Sequence, residues 1–329
     1  MTKSQIITGD TLSVLGKMPD RCIDCCITSP PYFGLRDYGA DGQIGLEETP
    51  EEYIRRLVEI FREVRRVMRD DGTLWLNIGD SYAGSGKGRM KDGSHSADRS
   101  KSSDYLCNVG GAITKSKTPG IKRKELIGIP WLLAFALRAD GWYLRQDIIW
   151  HKPNTMPESV QDRCTKSHEY IFLLTKKPCY YFNNKAIQED SVSYDRRQSG
   201  ETQEAEKRQK QLPRYGGKKY TSTPDKFFRT KSGNAYDYRP KRNKRDVWSV
   251  STHGYREAHF ATFPEKLVEP CALAGCRPGG IVLDPFCGSG TVPVVAKRYG
   301  REYIGIDINP EYTSMSERRV EAEKGGNNK

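Results

Sequence analysis

The sequence predicts an α/β fold, a doubly wound and mostly parallel sheet with helices on both faces. Three observations carry that prediction. Short apolar runs alternate with stretches of helical periodicity, the helices have recognisable start and stop residues, and two of the apolar runs end in Pro- or Gly-rich turns. In such sheets ligands sit beyond the C-terminal ends of the strands, so those two turns are the first places to look for chemistry.

The elements follow in order. Residues 23–27 (Ile-Asp-Cys-Cys-Ile) suit a short buried strand that delivers Ser29 to its C-terminal end. A helix is expected over about 50–70. Thr49 can cap it, Pro50 suits its first turn and Glu52 completes a capping box. Tyr53, Leu57, Ile60, Val64 and Val67 recur at helical spacing, and Gly72 is the expected stop. A strand at 74–78 comes next, then a helix at 130–139 stopped by Gly141, and strands at 143–150 and 169–175. Thr262, Pro264 and Glu265 repeat the capping pattern ahead of a helix to about Cys276. Strand 280–284, a glycine turn, helix 289–299, strand 302–306 and a helix from Pro310 complete the chain.

Composition narrows the function classes. A chain of 329 residues holds one large α/β domain plus a smaller module. No apolar run approaches the ~20 residues of a membrane span, and the first residues lack the apolar core of a signal peptide. Nine cysteines, an odd number spread over a long chain, point to reduced thiols in a cytoplasm. The net charge of +12 is unevenly placed. Residues 84–124 hold ten Lys/Arg against three Asp/Glu, and residues 191–245 hold sixteen against six, which leaves a slightly acidic scaffold. Two basic segments on an acidic scaffold are the footprint of a grip on a phosphate backbone, although solvated charged loops have the same composition. The second segment interleaves Tyr194, Tyr215, Tyr220, Phe227, Phe228, Tyr236 and Tyr238 with its cations, as a module touching bases and phosphates would.

Two motifs carry the chemistry. Asp284-Pro285-Phe286-Cys287-Gly288-Ser289-Gly290-Thr291 follows an apolar strand and opens a helix, and Asp307 ends the next strand 23 residues after Asp284. The glycines allow a tight turn and close approach of a ligand, and the distal acid is placed to accept ribose hydroxyls. A dinucleotide site would want a third glycine, so the pattern favours a nucleoside cofactor without a pyrophosphate. Near the other end lies Thr28-Ser29-Pro30-Pro31-Tyr32. Consecutive prolines fix φ and remove two backbone donors, so carbonyls project from a stiff turn. The Ser29 hydroxyl and Pro30 carbonyl can accept the protons of an exocyclic amine, and Tyr32 offers a face for a planar base.

Taken together these motifs resemble the β class of DNA amino-methyltransferases. Residues 28–32 look like its catalytic motif IV, 72–80 and 147–154 like later motifs of the catalytic half, 260–270 like motif X, 281–291 like motif I and 303–309 like motif II. The resemblance implies a circularly permuted Rossmann-like methyltransferase fold. Residues 1–83 and 125–190 would form the catalytic half, 84–124 a basic loop closing over DNA, 191–245 a target-recognition insert and 246–329 the cofactor half. It implies S-adenosyl-L-methionine as cofactor, with Asp284, Phe286, Gly288 and Gly290 on its methionine and sulfonium side, Asp307 on its ribose and Thr291 among the residues that bind it. Asp10 would lie near the adenine, and Thr262, Phe263 and Lys266 on the far side. Double-stranded DNA is the implied partner, with Lys87, Arg89, Lys218, Lys219, Lys241, Arg242, Lys244 and Arg245 as phosphate contacts. A cognate restriction endonuclease and a monomeric or homodimeric state are both compatible with the resemblance. Ser, rather than Asp, at the first position of motif IV is commoner among N4-cytosine enzymes of this class, so cytosine N4 is expected ahead of adenine N6. An RNA or protein amine methyltransferase and a non-catalytic DNA-binding protein are the rival functions.

Other candidates carry less. Cys22, Cys25 and Cys26 have a Cys-x-x-Cys spacing but no second pair, and read as buried thiols rather than metal ligands. His151 and Lys152 follow an apolar strand and either touch phosphate or cover the strand end. His168 and Glu169 have no partner at metal-ligand spacing and read as structural.

Overall fold

The computed structural model describes residues 4–35, 39–40, 42–83, 120–122, 124–191, 241–252 and 263–324. Ten strands are present among them: β1 (Gln5–Thr8), β2 (Ile23–Thr28), β3 (Met68–Ile78), β4 (Tyr143–His151), β5 (His168–Thr175), β6 (Glu189–Asp190), β7 (Lys241–Arg242), β8 (Val247–Ser249), β9 (Ile281–Asp284) and β10 (Glu302–Asp307). The helices are α1 (Thr11–Gly16), α2 (Pro50–Val67), α3 (Ile129–Ala139), α4 (Glu265–Gly275), α5 (Thr291–Arg298) and α6 (Pro310–Ala322). The chain divides into two compact units, Met1–Asn183 with Arg245–Lys329, and Asn184–Lys244. In the second, β6 and β7 pair antiparallel.

The first unit is built on one eight-stranded sheet of order β1-β10-β9-β2-β3-β5-β4-β8. The pairs from β1 to β3 are parallel, as is β4 with β8, while β5 is antiparallel to both of its neighbours. The segment between β4 and β5 contains no helix to carry the chain back over the sheet, so β5 returns alongside β4 in the opposite sense. Alternate side chains of the central strands face opposite layers. Cys26, Leu74 and Leu76 join Leu15 of α1, Leu57 and Phe61 of α2 and Leu133 of α3 in one buried cluster. Cys25, Thr73 and Trp75 face α4, whose Gly275 comes close enough that a Cβ there would fall 2.3 Å from the Trp75 indole nitrogen.

Helix α2 is the main support of the first layer. Thr49 caps it, its Oγ1 accepting from the Glu52 amide at 3.2 Å. Tyr53, Leu57, Phe61 and Val64 are fully buried, each contributing about 1.5–3 kcal/mol of hydrophobic stabilisation. The helix ends at Val67, five residues before the expected glycine stop, because Met68 turns extended and pairs at once with Ile23 of β2. Gly72 has another task. It sits in the irregular stretch of β3, where a Cβ would lie 2.9 Å from the Asp24 carbonyl oxygen. Two other boundaries also differ from expectation. Pro264, not Thr262, occupies the N-cap of α4, and α5 starts at Thr291 because Gly290 takes a left-handed N-cap conformation.

Strand order reverses its sense of progression between β9 and β2, which lie side by side in parallel with Cys26 opposite Leu283. Such a switch point opens a crevice at the C-terminal strand ends. The turns that start at Ser29 and at Pro285 both leave the sheet there.

Candidate active site

The crevice is a single cavity of about 310 Å³, within the usual size of a small-molecule site. The glycine turn forms one wall. Asp284, 4% exposed, closes β9, and its Oδ1 accepts from the Thr28 hydroxyl at 2.7 Å and the Phe286 amide at 3.1 Å. The first of these bonds ties β9 to the residue preceding Ser29. Burial, countered by these two donors and reinforced by the Asp307 charge, pushes the Asp284 carboxyl up to about 7. Asp307 closes β10, its two oxygens accepting from the Gly288 amide at 2.8 Å and the Asn309 amide at 2.9 Å. Burial raises its pKa as well, with the two amides opposing. Each of its oxygens keeps a second lone pair for a hydroxyl donor.

Two glycines in this turn have positive φ for different reasons. Gly288, at +51°, lines the cavity, and a Cβ placed there would find nothing within 4 Å. Gly290, at +81°, does not line it. A Cβ there would lie 2.2 Å from Ser316 Oγ and 2.9 Å from the Ser316 Cα, so this glycine lets α6 approach the turn. Behind the turn, Arg319 donates to the Ser289 carbonyl at 2.7 Å and to Glu265 at 3.2 Å.

Asp10, Phe263, Phe286, Thr291 and Ile308 also line the cavity. Asp10 spends Oδ1 on capping α1 through the Ser13 amide (2.9 Å) and hydroxyl (2.7 Å). The apolar side chains beside a ribose-competent acid suit a nucleoside, and the open space at Gly288 suits close backbone approach. Lys266 stands exposed on the first turn of α4 and is not part of the lining. Thr262 lies outside the described residues.

The opposite wall carries Ser29, Pro30, Pro31 and Tyr32. The Pro31 carbonyl accepts from the Tyr53 hydroxyl at 2.7 Å, which holds the proline turn against α2. Ser29 Oγ donates to Asn77 Oδ1 at 3.2 Å. The Tyr32 ring edge lies over Gly79, where a Cβ would come within 2.6 Å of Cε2, and its hydroxyl donates to Glu169 Oε2 at 2.6 Å. Glu169 Oε1 is ion-paired with Lys152, whose ammonium also sits 4.2 Å from the centre of the Trp150 ring. Burial, then the neighbouring Glu169 charge, holds the Tyr32 phenol well above its ordinary value.

Asn77, Lys152 and Glu169 all line the cavity, a placement that the sequence context of Glu169, read as structural, did not signal. Asn77 and Glu169 belong to β3 and β5 and Lys152 directly follows β4, and only the antiparallel return of β5 brings Glu169 to Asn77. Cys25 and Cys26 are buried in β2 with their thiols pushed up by burial.

Of the expected phosphate contacts, Lys87, Arg89, Lys218 and Lys219 lie outside the described residues. Lys241 and Arg242 form β7 and pair with Asp190 at 2.8 Å and Glu189 at 3.0 Å. Lys244 is half-buried and Arg245 exposed, the latter's carbonyl accepting from the Trp248 indole at 2.7 Å. No described helix is long and apolar enough to cross a membrane.

Known proteins match this architecture. The DNA methylase family model for N6 and N4 enzymes matches residues 23–318. The type II methyltransferase M.Cfr9I of Citrobacter freundii is 43% identical over 97% of this chain and 88% of its own length. M.SmaI of Serratia marcescens is 44% identical over 96% and 90%. Among solved structures, the cytosine-N4-specific PvuII DNA methyltransferase shares the fold at 17% identity, with a TM-score of 0.60 over 95% of this chain and 85% of that one. TTHA0409 of Thermus thermophilus, solved complexed with S-adenosyl-L-methionine, does so at 21% identity and a TM-score of 0.54 over 98% and 95%. Matched along nearly its whole length, the chain belongs to the N6/N4 DNA methylase family, among the type II DNA methyltransferases.

Proposed function

We propose that this enzyme methylates the exocyclic N4 amine of a cytosine flipped from a specific site in duplex DNA. The observation that carries the reading is that Ser29 and the Asp284–Gly288 turn face one cavity at the switch point. S-adenosylmethionine supplies an electrophilic methyl group on a sulfonium. Asp284, Phe286 and Gly288 would hold its methionine side, Asp307 its ribose hydroxyls, and Phe263 and Asp10 its base. A stacked base cannot reach such a cavity, so the target must leave the duplex.

The chain's own residues then act by position. Ser29 Oγ and the Pro30 carbonyl accept hydrogen bonds from the two amine N–H groups and turn the nitrogen lone pair toward the methyl carbon. The walls hold the reactants together and keep water out. Ser29 is neutral, and its place in motif IV supports cytosine over adenine. The basic segments, with Lys87, Arg89, Lys218, Lys219, Lys241, Arg242, Lys244 and Arg245, would hold the phosphate backbone, and the 191–245 segment would select the sequence. Methyl incorporation from labelled S-adenosylmethionine into unmethylated duplex DNA tests the site. Ser29→Ala should lower it by about a hundredfold while cofactor binding persists, the cost of a lost acceptor in a preorganised site. An alanine variant as active as the wild type would remove Ser29 from the chemistry.

A further inference from the structure

We propose that Asn77 and Glu169 are positioning residues that fix the hydrogen-bond polarity of Ser29, keeping its oxygen an acceptor toward the target amine. The inference rests on the amine-methylation reading above and holds for either base. A serine hydroxyl both donates and accepts, and only an acceptor serves an incoming N–H. If the Ser29 proton pointed into the cavity, it would meet the amine donor against donor. Something must hold that proton elsewhere.

The hydrogen bonds around Ser29 supply the lock. Asn77 Nδ2 lies 3.2 Å from Glu169 Oε2 and 3.1 Å from the Tyr170 carbonyl oxygen. Both partners are acceptors only, so the side-chain amide has one satisfied orientation. Its flip would set Oδ1 against a carboxylate and a carbonyl, in a residue 1% exposed. In the satisfied orientation Oδ1 faces Ser29 Oγ at 3.2 Å and Tyr32 Oη at 3.2 Å. Two hydroxyls approach one acceptor, and Tyr32 has a better one. Its 2.6 Å bond to the Glu169 carboxylate is charge-assisted, and the phenol keeps its proton. That leaves Asn77 Oδ1 to the Ser29 proton. The alternative partner for that proton, the Tyr32 oxygen, is farther away at 3.5 Å. The Ser29 lone pairs are then what the cavity presents.

Glu169 therefore acts twice, on Asn77 directly and on Tyr32 by drawing its proton away. Lys152 balances its charge on the other oxygen. The arrangement spans β2, β3, β4 and β5 and involves no group of the cofactor wall.

A double-mutant cycle separates this role from a general structural one. Single-turnover methyl transfer to duplex DNA is measured for the wild type, Glu169→Gln, Ser29→Ala and the double variant, with cofactor affinity measured alongside. Glutamine keeps the shape but can donate to Asn77 and release its orientation. The expected result is a fall of about tenfold for Glu169→Gln in the wild-type background. In the Ser29→Ala background the fall should be under about twofold, with cofactor affinity unchanged throughout. Equal falls in both backgrounds, or wild-type rates for Glu169→Gln, would overturn the proposal. Should Glu169→Gln fail to fold, Asn77→Ala runs the same cycle. The wild-type digest keeps the two failures apart, since a labelled base with an additive cycle sinks this role alone, whereas no labelled base sinks the amine reading. Hydrogen exchange of the Asn77 side-chain amide, followed by NMR, decides without turnover. Strong protection is expected, and exchange at the rate of an exposed asparagine would contradict the lock.

Discussion

Replacing Asp284 with asparagine should make the protein more stable at pH 8 and a poorer cofactor binder. The side chain is almost fully buried, and burial raises its carboxyl from 3.8 to about 7. A carboxyl raised in the folded state is penalised once it ionises. Below pH 3.8 both states are protonated and there is no penalty; it grows as pH climbs from 3.8 toward 7 and is complete above 7. About three pKa units correspond to about 4 kcal/mol. Asparagine keeps an Oδ1 for the Thr28 hydroxyl and Phe286 amide, so the two hydrogen bonds survive and the ionisation cost does not. Urea denaturation of wild type and Asp284→Asn should show the variant ahead at both pH values, with the gap growing from about 2 kcal/mol at pH 5 to about 4 kcal/mol at pH 8. Calorimetric titration with S-adenosylmethionine should show wild-type affinity rising as pH passes through about 7, because a sulfonium favours the ionised acid, and a weaker, flat response in the variant. A stability gap that is the same at both pH values, or a variant less stable at pH 8, would refute the reasoning.

Further predictions concern the supports of the two walls. Gly290→Ala should cost about 2 kcal/mol or more in thermal or urea unfolding, since it adds a Cβ at φ +81° against the Ser316 backbone. Gly288→Ala, whose Cβ enters open cavity, should weaken cofactor binding more than it lowers stability, and a titration beside a melt distinguishes the two. Arg319→Ala removes charged hydrogen bonds to Ser289 and Glu265 and should cost about 2 kcal/mol, with a loosened turn and weaker cofactor affinity. Tyr53→Phe frees the Pro31 carbonyl and should cost about 1 kcal/mol by denaturation, with a lower methylation rate at unchanged cofactor affinity.

Much of this was legible in the sequence because the signals are local. The Thr49 cap, the apolar stripe of α2 and the strand–turn–helix at 281–298 each lie within a few residues of chain, and the structure forms them there with their ends shifted by two or three residues. What escaped depends on pairing at a distance. Residues 5–8 make a strand because β10 offers them an edge, with Gln5 opposite Ile304, and four residues alone carry too little pattern. Gly72 looks like a helix stop in one dimension, yet it is a point of close approach to β2. Asn77 and Glu169 sit in unremarkable apolar strands 92 residues apart, and only the β3–β5 register joins them. A polar residue near one end of an apolar strand, as both are, was the available signal.

If the cavity presents a cytosine amine to the methyl donor, the identity of the methylated nucleoside reveals it. The purified enzyme is incubated with methyl-labelled S-adenosylmethionine and unmethylated duplex DNA, the DNA is digested to nucleosides, and the labelled nucleoside is identified by chromatography and mass. N4-methylcytosine is the expected product. N6-methyladenine as the labelled product would contradict the base assignment, and label on no nucleoside would contradict the amine chemistry itself.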